Sequence, residues 1–365
     1  MIDILKKLIH FPTVTGNFEA NNQALDYIAS YVQQRGMHVE HFEWNNYRAL
    51  VATTQPNRKN PTVMLAAHLD VVAAPAELFE LRRQDGKLFG RGTLDMKFAI
   101  AAYLQIIDEL GERLHDYDFG LMITTDEEAG GADGTEKLVE AGYLPKVCIL
   151  PDGGDDWQMQ LYSKGFLYLQ ITTQGTTAHG SRPWLGRNAL LTLMDVIREI
   201  QSLFPELQGS ETNTLNVGRM QAGNAINQVA AHAEASLDIR LVNEAERPKM
   251  LSAIQQICDH HQAKLTIQIN GAACDFSLDD PYLAPFATLI TKVTGVSIHG
   301  SRTLGSNDAR FFAVHNVPCV SLYPPGGGHH GPHEWASEQG VYQFKEILQR
   351  YLEQIAKTDV PIRTS

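Results

Sequence analysis

An α/β fold, with a mostly parallel, doubly wound sheet and an inserted α+β domain, is what this 365-residue sequence predicts. Three observations carry that expectation. Apolar runs without alternation, suited to central strands buried on both faces, recur between stretches of helical periodicity. After Lys164 the texture changes to the two-residue alternation of half-exposed strands, and the first pattern resumes from Asp279. The length also exceeds one ordinary core, for which roughly 150 residues is a usual size. The expected organisation is a main domain over residues 1–163, the insert over 164–275, and the rest of the main domain over 276–365.

In chain order, Leu25, Ile28, Ala29 and Val32 share one face of a helix from Glu19 to Arg35, stopped by Gly36. MHVEHFEW and RALVATT read as strands, and TVMLAAHLDVV, FGLMITTDEE and KVCILPD as buried central strands. Helices are expected between them, from Lys97 to Leu110 and from Thr135 to Glu140. In the insert, FLYLQITTQG and HAEASLDIRLV alternate as antiparallel strands do, accompanied by helices from Arg187 to Phe204 and from Glu244 to His261. A helix around Tyr282 to Val293, the strand PCVSLYP and a closing helix from Glu338 to Ile355 complete the main domain.

Composition excludes several partner classes. The formal net charge is −12, and no run of Lys or Arg could track a phosphate backbone, so no nucleic-acid partner is expected. No stretch approaches the ~18 apolar residues of a membrane span. MIDILKKLIHFP has helical spacing but lacks the apolar core of a secretion signal, which leaves a cytoplasmic location and no membrane contact as the expectation. Cys148, Cys258, Cys274 and Cys319 form no C-x-x-C pair and read as reduced core residues.

The acidic residues collect where strands end, the edge at which open α/β sheets bind ligands. The motifs are HLD at 68–70, GRGTLDMK at 90–97, TTDEE at 124–128, PD at 151–152 and GGGHHGPHEW at 326–335. They offer imidazole and carboxylate without thiolate, a donor set that suits zinc and tolerates cobalt or manganese. His68 and Asp70, two apart on a strand, share a face, so Asp70 is placed to orient a metal-binding His68. Glu127 and Glu128 are adjacent at a strand end and point differently, so one can ligate while the other moves protons. Each feature also has a plain reading. Asp95 could cap the helix after it, the Glu pair could be a solvated helix start, Asp152 a turn, and His329, His330 and His333 a polar surface loop. All of these holding at successive strand ends is a poor match to chance.

At these residues the sequence resembles the aminoacylase/carboxypeptidase family of dinuclear zinc peptidases, which includes acetylornithine deacetylase, succinyl-diaminopimelate desuccinylase and peptidase T. AAHLDVV, GRGTLDMK, TTDEEAGG, GTTAHGSRPWLGRNAL, SLDIR, GSNDARFF and HGPHEW match in order and spacing, nearly end to end. The resemblance implies a zinc-peptidase catalytic domain with an inserted lid/dimerisation domain. It implies two zinc ions, one on His68, Asp95 and Asp152, the other on Glu128 and His330, with Asp95 bridging. Glu127 becomes the general base on a metal-bridging water. His330 is preferred over His329 and His333 by its register to Glu334 and Trp335. His179 matches a histidine that reaches the substrate carbonyl from the partner subunit of a homodimer, an oxyanion donor. Asn227, Arg240 and Arg310 correspond to polar substrate contacts, although Arg240 could instead pair near Asp238 and Arg310 cap a helix. The implied substrate is a small peptide or an N-acyl amino acid. The runner-up activities are N-succinyl-diaminopimelate desuccinylase and acetylornithine deacetylase, and the alternative of another class is a catalytically silent binder. PDGGDDW departs from the family pattern without selecting a substrate, and NQVAAH, which carries Asn227, lacks the proline common after the asparagine motif.

Overall fold

The computed structural model describes residues 1–303 and 305–358; residue 304 and residues 359–365, the end of the expected main domain, lie outside the described residues. The chain divides into two compact units. One comprises Met1–Tyr162, Asp275–Thr303 and the chain from Asn307, and the other is formed chiefly by Ser163–Cys274.

The first unit is built on six strands: β1 (His38–Trp44), β2 (Tyr47–Thr53), β3 (Val63–His68), β4 (Phe119–Thr124), β5 (Val147–Ile149) and β6 (Cys319–Val320). They lie in the order β1-β2-β4-β3-β5-β6. β1 and β2 form an antiparallel hairpin whose turn residues Asn45 and Asn46 both take positive φ, 48° and 71°, as the tight turns that match strand twist require. β2 meets β4 antiparallel, while β4, β3, β5 and β6 run parallel. Every residue of β3 and β4 is buried, which explains why these runs carry no polar alternation. The helix Lys97–Leu110 packs on β3, and the hydroxyl of its buried Tyr103 lies 3.1 Å from the carbonyl oxygens of Ala66 and Ile149.

Register places the chemistry. His68 pairs with Thr124 across β3 and β4, Leu65 with Ile149 across β3 and β5, and Val320 with Ile149 across β6 and β5. The segments that follow these strands therefore leave the sheet at one edge, carrying Asp70, Glu127, Glu128, Asp152 and Tyr323.

The second unit holds an antiparallel sheet in the order Thr214–Ala222, His232–Leu241, Gly165–Gln174, Lys264–Gly271. Leu167, Leu169, Ile171, Ala235, Leu237 and Ile239 on its two central strands pack with Leu193, Val196, Ile197, Ile254 and Cys258 of the helices Ala189–Gln201 and Arg247–His260. The two edge strands were not among the expected elements. Both carry the apolar alternation by which a strand is read, Leu265, Ile267 and Ile269 in one and Leu215, Val217, Met220 and Ala222 in the other, where a bulge between Val217 and Arg219 shifts the phase; most of their residues are nonetheless exposed or half-buried. PCVSLYP also contracts to Cys319–Val320, because Ser321 and Tyr323 give their carbonyls to the loop amides of Gln160 and Trp157.

Candidate active site: a carboxylate and imidazole cluster

Asp95 stands at the centre of the cluster. Its Oδ1 lies 3.0 Å from His68 Nε2, and its Oδ2 lies 2.8 Å from His329 Nε2 and 3.1 Å from His330 Nε2. The helix that follows starts at Lys97 without a side-chain cap, so the Asp95 carboxylate is committed to the imidazoles rather than to the helix. Burial alone would raise its pKa, but His68, His329 and His330 outweigh that and hold it well below the usual carboxylate range. Conversely, burial works to discharge His68, and the facing Asp95 overrides it and pushes the imidazole well above its ordinary value.

The loop carrying Asp95 is shaped from far away in sequence. Glu334, wholly buried, accepts from Arg91 Nη1 at 2.5 Å and from the amides of Gly92, Leu94 and Asp95 at 3.1, 2.9 and 3.2 Å. Gly92 has φ +84°, and a Cβ there would lie 2.9 Å from Lys97 Cδ, so the second glycine of GRG meets a conformational and a steric demand together. Lys97 is itself buried, which pushes its amine down to about 7, and it donates to the carbonyls of Leu8 and Phe11 at 3.1 Å.

Asp70 works chiefly on the glutamate pair. Its carboxylate accepts from the amides of Glu127 and Glu128, each at 3.2 Å, and from the Thr15 hydroxyl at 2.8 Å. His68 Nδ1 is bonded instead to the main-chain carbonyl of Asp70 at 2.9 Å, with the carboxylate at 3.6 Å. The ring is oriented by this residue, through its backbone. Glu127 and Glu128 open a single 3-10 turn, not a solvated helix, and diverge as adjacent residues should. Glu128 Oε1 reaches His330 Nε2 at 3.2 Å, while Glu127 is pushed well above the usual carboxylate range by burial and then by the charge of Asp152.

Asp152 is buried, and its Oδ1 accepts from the Tyr323 hydroxyl at 2.6 Å; the same hydroxyl lies 3.3 Å from Asp95 Oδ1. Burial and the neighbouring Asp95 push the Asp152 carboxyl up to about 6. Tyr323 was not singled out in the sequence, although its place just past a strand of the same parallel set was a usable signal. Asn307 donates its side-chain amide to the Asp152 carbonyl. Arg310 is buried, and its guanidinium donates to the carbonyls of Asn307 at 3.0 Å and Gly130 at 2.5 Å. It thus ties the turn after Glu127 and Glu128 to the segment that holds Asp152. His333 is exposed.

The remaining candidates lie in the second unit. His179 is exposed, and its Nδ1 accepts from the Ser181 amide at 3.2 Å and faces the Ser181 hydroxyl at 2.8 Å, which leaves the proton of a neutral ring on Nε2. Gly180 donates its amide to the Asn227 carbonyl at 2.7 Å, so His179 and the exposed Asn227 sit on adjoining loops. Arg240 pairs with Asp238 at 2.8 Å, touches the Tyr168 hydroxyl at 3.1 Å and lies over the Phe166 ring at 5.1 Å.

The donor set was tested for its fit to metal. Donor atoms of His68, Asp95 and Asp152 lie within 4.8 Å of one another, as do those of Asp95, His329 and His330. Asp95 belongs to both groups. Nitrogen and oxygen donors at this spacing suit zinc, and crowding the carboxylates without a cation is costly. The residues present therefore fit divalent ions. His330 and His329 are nearly equidistant from Asp95, so the expected preference for His330 rests on its contact with Glu128.

All four cysteines are buried, and no helix among the described residues is long and apolar enough to cross a membrane. Succinyl-diaminopimelate desuccinylase of Caulobacter vibrioides (strain NA1000 / CB15N) is 28% identical, the match covering 96% of this chain and 95% of that one. The protein of the same name from Acidiphilium cryptum is 27% identical, covering 90% and 92%. Among solved structures, a tripeptidase from Staphylococcus aureus superposes with a TM-score of 0.78 at 18% identity, covering 97% of each chain. An M20 family metallo-carboxypeptidase from Sulfolobus solfataricus gives 0.77 at 18%, covering 96% and 98%. These two share the fold. Residues 64–354 match the peptidase family M20/M25/M40, and the chain therefore belongs to that family and is a hydrolase of amide bonds.

Proposed function

We propose that this protein is a dinuclear zinc-dependent hydrolase of small peptides or N-acyl amino acids, with Glu127 as its general base. The observation that carries the reading is the sharing of Asp95 between two groups of potential ligands. His68 and Asp152 would hold one ion, Glu128 and His330 the other, and Asp95 would bridge them; cobalt or manganese would serve in place of zinc. The chemistry supplied by such ions, once bound, is polarisation of the scissile carbonyl and a water pKa brought toward ~7.

The chain's own residues do the rest. Glu127 accepts a proton from the attacking water as the new C–O bond forms, and delivers it to the amide nitrogen as the C–N bond breaks. Asp70 fixes the turn that aims Glu127, through the two amide contacts. His179 would donate its Nε2 proton to the oxygen of the tetrahedral species, and Asn227 and Arg240 would contact the substrate. For Arg310 the burial and the two carbonyl contacts favour holding the Glu127 turn over touching substrate. Pairing of two copies through the second unit belongs to the same reading, supported by the exposed Trp184 and Leu185 that follow His179; a sedimentation profile of monomer alone would remove it.

The decisive assay is a panel of N-acetyl amino acids, N-succinyl amino acids and dipeptides with added zinc or cobalt. At least one class should be cleaved, chelation should abolish the cleavage and zinc should restore it, whereas inertness across the panel would overturn the reading. Cleavage confined to N-succinyl substrates would favour a desuccinylase, the name carried by the curated relatives. His330→Ala should lose one metal equivalent by elemental analysis, and retention of both would move the ligand role to His329. His179→Ala should slow turnover at unchanged metal content; a change in metal content alone would remove its oxyanion role.

A further inference from the structure

A second imidazole and carboxylate group lies in the Ser163–Cys274 unit. Glu199 sits near the end of the helix Ala189–Gln201, and His260 and His261 at the end of the helix Arg247–His260. Their donor atoms all lie within 4.8 Å of one another. His261 Nε2 is 2.8 Å from Glu199 Oε1, so a ring nitrogen and a carboxylate oxygen already face each other across two helices.

Taken alone, that contact is an interhelical ion pair of a common and weak kind. His260 is the part such a pair does not need. Adjacent side chains inside a helix diverge by ~100°, which would carry His260 away from Glu199. Here the helix stops at His260, and His261 follows as its cap at φ −90°, ψ 4°. The two rings then meet edge to face with centroids 4.9 Å apart. Of the charged residues next to these three in sequence, Arg198 pairs with Asp195 and Asp259 accepts from Gln255.

We propose that Glu199, His260 and His261 form a surface site for a divalent transition metal, zinc foremost, that clamps these two helices together. Two imidazole nitrogens and one carboxylate oxygen make a familiar three-ligand zinc set with a further position for water. Glu199 is 48% and His261 17% exposed, so an ion reaches the site from solvent. On binding, the ion replaces the proton held between Glu199 and His261, which leaves to water. The site shares no residue with the Asp95 cluster, and it stands whether or not the reaction proposed above is correct.

The test uses the full-length protein carrying its catalytic metal, equilibrated at a fixed free zinc concentration and then analysed for metal per chain. The wild type should hold one equivalent more than the double variant His260→Ala/His261→Ala, with the hydrolysis rate the same in both. Glu199→Gln, which keeps a hydrogen-bonding side chain at the position, should also lower the zinc retained, and circular dichroism should show both variants folded. Copper(II) added alone, read by electron paramagnetic resonance, should show imidazole nitrogen coupling that the double variant lacks. Equal zinc in all three proteins, or metal loss accompanied by loss of hydrolysis, would overturn the proposal.

Discussion

Replacing Glu127 with alanine should leave the metal content of the protein unchanged and slow amide hydrolysis by ~10²–10⁴-fold, the range associated with a general base. The expectation comes from its difference from its neighbours. Glu128 meets His330, and Asp95 meets three imidazoles, whereas Glu127 belongs to neither group of potential ligands. Burial and the charge of Asp152 raise its proton affinity, which suits a group that must take a proton from water and give it to an amine. Steady-state kcat and elemental analysis on the same preparation decide the matter. Undiminished turnover would sink the mechanism, and loss of an ion would reassign Glu127 as a ligand.

The largest effect on stability is expected at Glu334, which touches no reacting group. Its carboxylate is wholly buried and satisfies the Arg91 guanidinium together with three backbone amides. Glu334→Ala leaves that guanidinium in the interior without a carboxylate, held only by the carbonyls of His330 and Gly331 at 3.2 and 3.1 Å, a change that costs about 3–5 kcal/mol when a buried pair is broken. The three orphaned amides push the loss toward the upper end. Because those amides include that of Asp95, hydrolysis should fall as well. Urea unfolding followed by circular dichroism measures the first effect, and a destabilisation below ~1 kcal/mol would show that water replaces the carboxylate at little cost.

Legibility in the sequence followed the range of the interactions. β3 and β4 could be read because burial on both faces leaves an unbroken apolar run, and His68, Glu127, Glu128 and Asp152 because they stand just past such runs. Glu334 and Arg91 stood inside the motifs GRGTLDMK and HGPHEW, but their pairing could not be read, since it spans 243 positions. Asn307 escaped for a similar reason, acting on a main-chain carbonyl 155 positions away. The edge strands of the second unit were legible in the alternation of Leu265, Ile267 and Ile269 and of Leu215 and Val217, although they were not among the expected elements; only the bulge between Val217 and Arg219 interrupts that signal. At Asp70 the residue was legible and its working atoms were not, because whether a carboxylate or a carbonyl faces a ring depends on backbone direction.

The separation of 243 positions between Arg91 and Glu334 bears on how the protein comes into being. A ribosome adding about 5–20 residues per second exposes Arg91 on the order of 10–50 s before Glu334 can follow it. Through that interval the loop bearing Asp95 has an unanswered cation, while the strands of the antiparallel insert, all synthesised before Glu334, are free to pair. Closure of the loop bearing Asp95 thus waits for Glu334, and a message broken before that residue yields a chain for chaperones and proteases rather than a slower catalyst.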